Sequence, residues 1–301
     1  MHVNTPLIKS LPLSELTGSN IWLKLDAMQP SGSFKLRGMG AKARMEVANG
    51  AKKFVSSSGG NAGLGVAWAG MELGIPVSVY VPETTRKATI DQLRLCGAEV
   101  IVIGDQWATT HQHAMQEVDG RSTVYFHPFD DPLVWQGHAS LIDEIVLSGL
   151  RPDWLVCSVG GGGLLCGMMQ GLAANDLHQT QVLALETTGA DALNCSLEVG
   201  HVVTLEKITS KASSLGANRV CDQAYEYASG GHVVSDRVTD DIARKACASF
   251  LEDHRVRVEM ACGAALAAAY ECHPSICSDD ERDTQPKNVL IVVCGGVNAS
   301  S

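Results

Sequence analysis

"DWLVCSVGGGGLLCGMMQGL", residues 153–172, has a strand-like half and a helix-like half joined by four glycines. Residues 153–159 form a continuous apolar run. That pattern suits a parallel strand covered on both faces better than an alternating, half-solvated one. The glycines stand at 160–163, and a helix is predicted over about 163–174. The pattern recurs along the chain. "IWLKLD" (21–26), "KFVSSS" (53–58), "PVSVYVP" (76–82), "AEVIVIG" (98–104), "QVLALE" (181–186) and "NVLIVVC" (288–294) read as further strands. Helices are predicted from Asn61 to just before Gly74 and over about 86–96, 107–118, 133–148, 239–253 and 261–271. This alternation predicts an α/β architecture of mostly parallel sheets flanked by helices, with right-handed crossovers. "HPSICSDDERDTQPKN" (273–288) reads as a polar surface connection.

The 301 residues suffice for two domains at roughly 150 residues each. Hydrophobic residues make up 45% and charged residues 19%, as in an ordinary soluble protein. The formal net charge of −10 argues against a nucleic-acid partner, which needs a basic face. The first 30 residues hold no secretory h-region, and no apolar run approaches the ~18 residues of a membrane helix. The ten cysteines include no C-x-x-C pair. Reduced thiols in a cytoplasmic setting are therefore expected, with neither a disulfide framework nor a zinc site.

Three glycine clusters follow strands: "SSSGGNAG" (56–63), "SVGGGGLLCG" (158–167) and "CGGVN" (294–298). Ligands of open α/β sheets bind at the carboxyl ends of strands. Four consecutive glycines remove every Cβ that would block an anion. They also let backbone N–H groups and a helix start face a phosphate. A close-packed turn is the competing reading. The spacing fits neither G-x-G-x-x-G nor a Walker A sequence, so a phosphate is expected without a nucleotide fingerprint. "SSSGGNAG" suits a carboxylate at a helix start, and Ser58 or Asn61 could equally be a helix cap.

"PSGSFKLRGMG" (30–40) sets Lys35 among small residues and one aromatic ring. Alone it would read as a surface lysine. Beside a phosphate cradle and a carboxylate-sized site it suggests pyridoxal phosphate chemistry, since a desolvated lysine amine forms a Schiff base with an aldehyde.

"SGSFKLRG", "SSGGNAG", "SVGGGGLLCG", "ETTGA", "VEMACGAALAA" and "VVCGGVN" resemble the fold-type II pyridoxal phosphate enzymes. Within that group the chain is most similar to the serine/threonine dehydratases of the liver type. The likeness runs over nearly the whole chain, with the motifs in the same order, and "FDDPLVWQGHAS" (129–140) adds to it. The resemblance implies a tryptophan synthase β-like fold and roles for individual residues. Lys35 is the Schiff-base lysine, and Phe34 packs on the cofactor face. Asn61 meets the cofactor's phenolic oxygen. Ser58, Gly59, Gly60, Asn61 and Ala62 hold the substrate carboxylate. Gly160, Gly161, Gly162, Gly163 and Leu164 hold the phosphate, and Cys294 lies beside the pyridine nitrogen. A monovalent cation, potassium in this family, is implied at Glu186 and the carbonyls of Gly160, Ala190, Leu215 and Ala217, hard oxygen ligands suited to it. For Glu186 a solvated strand end is the other reading.

The expected organisation is a large cofactor-binding domain from 1–35 and 136–301 and a small domain from 36–135, with the site in the cleft between them. A homodimer is implied by the resemblance. So is deamination of L-serine to pyruvate, and of L-threonine to 2-oxobutanoate, with Lys35 as the general base. No histidine or carboxylate of the quoted loops stands at an obvious position to act as an acid. A neutral thiol at Cys294 would leave the pyridine ring a weaker electron sink than a carboxylate would. Serine racemase, a threonine-preferring dehydratase, a cysteine synthase-like activity and a non-catalytic amino-acid or cofactor binder remain alternatives. Gly59, Ser214 and Met260 depart from the liver-type pattern, which has alanine, a small apolar residue and proline there. No terminal helix or regulatory domain is expected after "CGGVNAS". His111 and His113 in "HQH" read as a solvated helix face, and His138 as a packed or hydrogen-bonded residue rather than a catalytic one.

Overall fold

A computed structural model describes residues 1–278 and 285–296. The elements run β1 (Leu7–Lys9), α1 (Leu11–Thr17), β2 (Asn20–Lys24), α2 (Lys35–Ala48), β3 (Lys53–Ser56), α3 (Asn61–Leu73), β4 (Val77–Val81) and α4 (Lys87–Leu95). They continue with β5 (Glu99–Val102), α5 (Trp107–Gln116), β6 (Thr123–Tyr125), α6 (Pro132–Leu147), β7 (Trp154–Ser158), α7 (Gly163–Ala174) and β8 (Gln181–Thr187). The last are α8 (Ala192–Val199), α9 (Asp222–Ser229), β9 (Val233–Val238), α10 (Asp240–His254), α11 (Met260–Tyr270) and β10 (Asn288–Val292).

Six strands form one sheet in the order β1-β2-β10-β7-β8-β9, in which only β1 is antiparallel. Four form a second, wholly parallel sheet in the order β5-β4-β3-β6. All seven strands expected from the continuous apolar runs are present. Leu155, Val156, Leu183, Leu290 and Ile291 are buried in the large sheet, and Phe54, Val79 and Val81 in the small one. This is the near-continuous burial that covered parallel strands require.

The chain has elements that its periodicity did not announce. β1 has three residues and lies at an edge, and β9 is an edge strand in which only Val233 is buried. α2 begins at Lys35, in a stretch for which the sequence predicts no helix. Gly38 is there for close packing, since a Cβ on it would lie 2.6 Å from the Val134 carbonyl oxygen of α6. Gly137 answers from α6, where a Cβ would lie 2.6 Å from the Gly38 Cα. The two helices meet backbone to backbone, and larger side chains would push them apart.

The start of α2 is fixed by a buried ion cluster. Arg37, wholly buried, donates to Asp26 at 2.6 and 2.9 Å and to Glu144 at 2.7 and 2.8 Å. Lys24 lies 2.6 Å from Glu144, and Thr5 donates to Asp26 at 2.6 Å. Charges this deep persist because each has a partner and further hydrogen bonds.

Candidate active site

The glycine loops gather at the carboxyl ends of parallel strands. Residues 57–60 follow β3, 159–162 follow β7 and 293–296 follow β10. The approach to Lys35 is pinned to the third loop. Ser33 bridges Gly295, the Phe34 N–H donates to the Cys294 carbonyl at 2.9 Å, and the Gly296 N–H donates to the Gly32 carbonyl at 3.1 Å. Val297 and Asn298 of "CGGVN", and the chain end after them, lie outside the described residues.

Lys35 is half-buried, and its Nζ donates to the Pro128 carbonyl at 2.5 Å and lies 5.0 Å from the Phe34 ring centroid. Burial lowers its amine from the ordinary 10.5 to about 8. The Glu259 carboxylate is near enough to oppose that shift. The small residues around Lys35 in the sequence thus leave its amine in a dry, crowded place. The Phe34 ring lies against His138, centroids 4.8 Å apart. His138 is fully buried, its ring nitrogens have no partner among the described residues, and burial holds it well below its usual value. Of the two readings, packing holds and a hydrogen-bonded role finds no partner among the described residues.

The four-glycine loop is tight and open at once. A Cβ on Gly161 would lie 2.2 Å from the Phe129 ring, one on Gly162 2.4 Å from Ala224 Cβ, and one on Gly163 2.6 Å from the Phe129 carbonyl oxygen. Gly162 has φ +92°, a left-handed conformation that favours glycine. The N–H groups of Gly160, Gly161, Gly162, Gly163 and Leu164 donate to no acceptor among the described residues, although all but Gly160 are buried. Buried donors of that kind call for a ligand. Close packing and an anion cradle therefore hold together.

At the other loop the cap reading needs correction. Gly60 is the N-cap of α3, with no side-chain cap bond, and Asn61 is the first helical residue. Ser58 Oγ instead accepts from the Gly60 N–H at 3.3 Å. The N–H groups of Ala62 and Gly63 in that first turn donate to no described residue, as a carboxylate site requires. A Cβ on Gly59 would lie 3.0 Å from Thr85 Cγ2 and 3.1 Å from Val81 Cγ1, so these side chains occupy the room an alanine would use.

Cys294 is buried beside Cys262, and that contact with desolvation pushes its thiol well above the ordinary range, keeping it neutral. Under the phosphate-type loop, the sulfurs of Cys166 and Cys221 lie 3.6 Å apart. Glu186 is wholly buried, which corrects the solvated-strand-end reading. It accepts from the N–H groups of Leu193 at 3.0 Å and Asn194 at 2.7 Å, and burial raises it to about 8. Ala190 and Leu215 belong to one small apolar cluster, and a Cβ on Gly160 would lie 3.0 Å from Leu215 Cα.

Three features escaped the reading of the residues. Pro128 and Phe129 join Lys35 to the glycine loop. Glu259, 4% exposed, accepts from Asn61 Nδ2 at 2.6 Å and from Ser214 Oγ at 3.0 Å, so a carboxylate of the quoted motifs does stand in the site. An acidic residue inside the apolar "VEMACGAALAA" was the available signal. His111 is not on a solvated face: it stacks on Trp107 at 4.9 Å, meets Tyr125 edge-on at 5.1 Å and lies 3.3 Å from Ser57 Oγ.

A half-buried lysine amine and two helix starts with unanswered N–H groups converge here, and residues 1–295 match the family described as pyridoxal-phosphate dependent enzyme. The chain belongs to that family. As a member it is 43% identical over 304 residues to the L-serine dehydratase/L-threonine deaminase of Mus musculus, covering all of this chain and 93% of that one. It is 41% identical over 303 residues to the serine dehydratase-like protein of Rattus norvegicus, with all of this chain and 92% of that one covered. The crystal structure of a fungal L-serine ammonia-lyase from Rhizomucor miehei superposes with a TM-score of 0.90 at 34% identity, covering 99% of this chain and 95% of that chain. The residues present fit pyridoxal phosphate. Lys35 offers an amine near neutrality to an aldehyde, the glycine loop offers its N–H groups to a phosphate, and Cys294 offers a neutral thiol.

Proposed function

We propose that this enzyme deaminates L-serine to pyruvate and ammonia, and L-threonine to 2-oxobutanoate and ammonia. The observation that carries this reading is the Lys35 amine, lowered to about 8, beside two anion-ready helix starts. The likeness to enzymes named for this reaction supports it.

Bound pyridoxal phosphate supplies an electron-withdrawing ring that acidifies the substrate's α-proton. Lys35 carries the cofactor and then takes that proton as general base, for which a value near 8 is well placed. Ser58, Gly59, Gly60, Asn61 and Ala62 hold the substrate carboxylate, and Gly160, Gly161, Gly162, Gly163 and Leu164 hold the cofactor phosphate. Phe34 and Ser214 would pack against the cofactor ring, and Asn61 would reach its phenolic oxygen. The Cys294 thiol, kept neutral by burial, adds no negative charge near the pyridine nitrogen and favours prompt loss of the β-hydroxyl.

A monovalent cation, potassium, belongs at Glu186 with the carbonyls of Gly160, Ala190, Leu215 and Ala217. A cation there would offset the burial that raises Glu186. The two sheets are read as two domains, 36–135 and 1–35 with 136–301, which close on the substrate and exclude water. The enzyme is read as a cytoplasmic homodimer. Among the described residues no helix is long and apolar enough to cross a membrane.

The test is to supply L-serine and L-threonine with pyridoxal phosphate and potassium, then quantify both keto acids and D-serine. Keto acids in excess are expected, and D-serine as the main product would overturn the reading in favour of racemisation.

A further inference from the structure

Two elements meet on one buried carboxylate. Asn61, at the start of α3 beyond the small sheet, donates its Nδ2 to Glu259 Oε1 at 2.6 Å. Ser214, in the short 3-10 turn Ser213–Leu215, donates its Oγ to Glu259 Oε2 at 3.0 Å. Carboxylate oxygens accept, and an amide donates only from its nitrogen. The first bond therefore fixes which end of the Asn61 amide faces Glu259, and the second fixes the Ser214 hydroxyl.

The carboxylate is itself held from behind. The Glu259 N–H donates to the Gly295 carbonyl at 3.2 Å, and its own carbonyl accepts from the Cys262 and Gly263 N–H groups at 2.9 and 3.0 Å. This anchors Glu259 to the loop after β10 and to the first turn of α11. Space beside it exists because Gly295 has no side chain, since a Cβ there would lie 2.6 Å from Oε1. A carboxylate so buried is stable only with donors around it, and two polar side chains of the site are among them.

We propose that Glu259 is a positioning residue for cofactor binding. It holds Asn61 and Ser214, which lie on different elements, in the orientations in which both touch the bound cofactor. The inference rests on the proposed placement of Asn61 and Ser214 at the cofactor ring. Glu259 acts through them and touches no reacting atom.

The test is a double-mutant cycle read by cofactor affinity. Apoprotein of wild type, Glu259→Gln, Asn61→Ala and the double variant is titrated with pyridoxal phosphate, and the dissociation constant and the absorbance maximum of the bound form are recorded. Each single variant is expected to bind about tenfold more weakly, the size of one hydrogen bond to a charged group. Replacing Glu259 in the Asn61→Ala background is expected to cost clearly less than it does in wild type, because part of its effect runs through that amide and the rest through Ser214. The absorbance maximum should move in the same way in both single variants. Affinity unchanged by Glu259→Gln, or losses that multiply to about a hundredfold, would overturn the inference. If Glu259→Gln does not fold, judged by circular dichroism, the cycle is run on Asn61→Ala and Ser214→Ala. Non-additive losses there support the bridge, and additive ones overturn it. Wild-type protein that takes up no pyridoxal phosphate would defeat the underlying reading. Wild type that binds, with additive variants, would defeat the Glu259 inference alone.

Discussion

Lys35 Nζ donates to the Pro128 carbonyl at 2.5 Å, one residue before the ring that covers Gly161. The amine and the phosphate-type loop are thus tied through a two-residue segment, Pro128 and Phe129. A shift of that segment would disturb both at once.

The lowered amine gives a pH-dependent stability. The ordinary value is 10.5 and the folded value about 8. Between those values the unfolded chain keeps the proton and the folded chain has released it, so the unfolded state binds more protons. The stability contribution of Lys35 therefore rises with pH through that window. In urea unfolding of the apoprotein, Lys35→Met should exceed wild type at pH 7, and the gap should close by about pH 10. A gap that stays constant would show an unperturbed amine.

Glu186 has the opposite sign. Burial raises it from 4.5 to about 8, so between those values the folded chain holds a proton that the unfolded chain has lost. Its contribution falls as pH rises through the window. Potassium should raise the melting temperature at pH 8 and have little effect at pH 5, and Glu186→Gln should abolish the difference. An equal potassium effect in Glu186→Gln would place the cation elsewhere.

Gly161→Ala brings a Cβ to 2.2 Å from the Phe129 ring. Overpacking of this kind costs about 1–3 kcal/mol. Chemical denaturation should show that loss, and adding Phe129→Ala should recover part of it. A Gly161→Ala protein as stable as wild type would mean that the ring yields freely.

The cluster that anchors α2 should be the costliest to break. Asp26→Asn leaves the wholly buried Arg37 short of one charged partner and should cost about 3–5 kcal/mol. The surface pair Arg219–Asp222, with side chains 46% and 73% exposed, should cost under about 1 kcal/mol when broken. Similar losses from both would argue against the buried cluster as the anchor.

Much of this was legible from the residues. Covered parallel strands show as unbroken runs of valine, isoleucine and leucine, and the glycine loops fall where such strands end. The short edge strands β1 and β9 carry no comparable signal. Gly38 hid the start of α2, because a glycine chosen for helix contact looks like one chosen for a turn. Glu259 was hidden by its type, since an acidic residue ordinarily signals solvent. Here the donors that make its burial tolerable come from positions 45 and 198 residues away in sequence. His111 failed for a related reason, because its partner Tyr125 lies on β6, beyond the reach of helical periodicity.

The most direct measurement compares wild type with Lys35→Ala for keto-acid formation from L-serine, with pyridoxal phosphate binding followed in parallel. Wild type should form pyruvate, and the variant should lose turnover while still binding the cofactor through the glycine loop. Undiminished pyruvate formation in Lys35→Ala, or none from a cofactor-loaded wild type, would contradict the assignment.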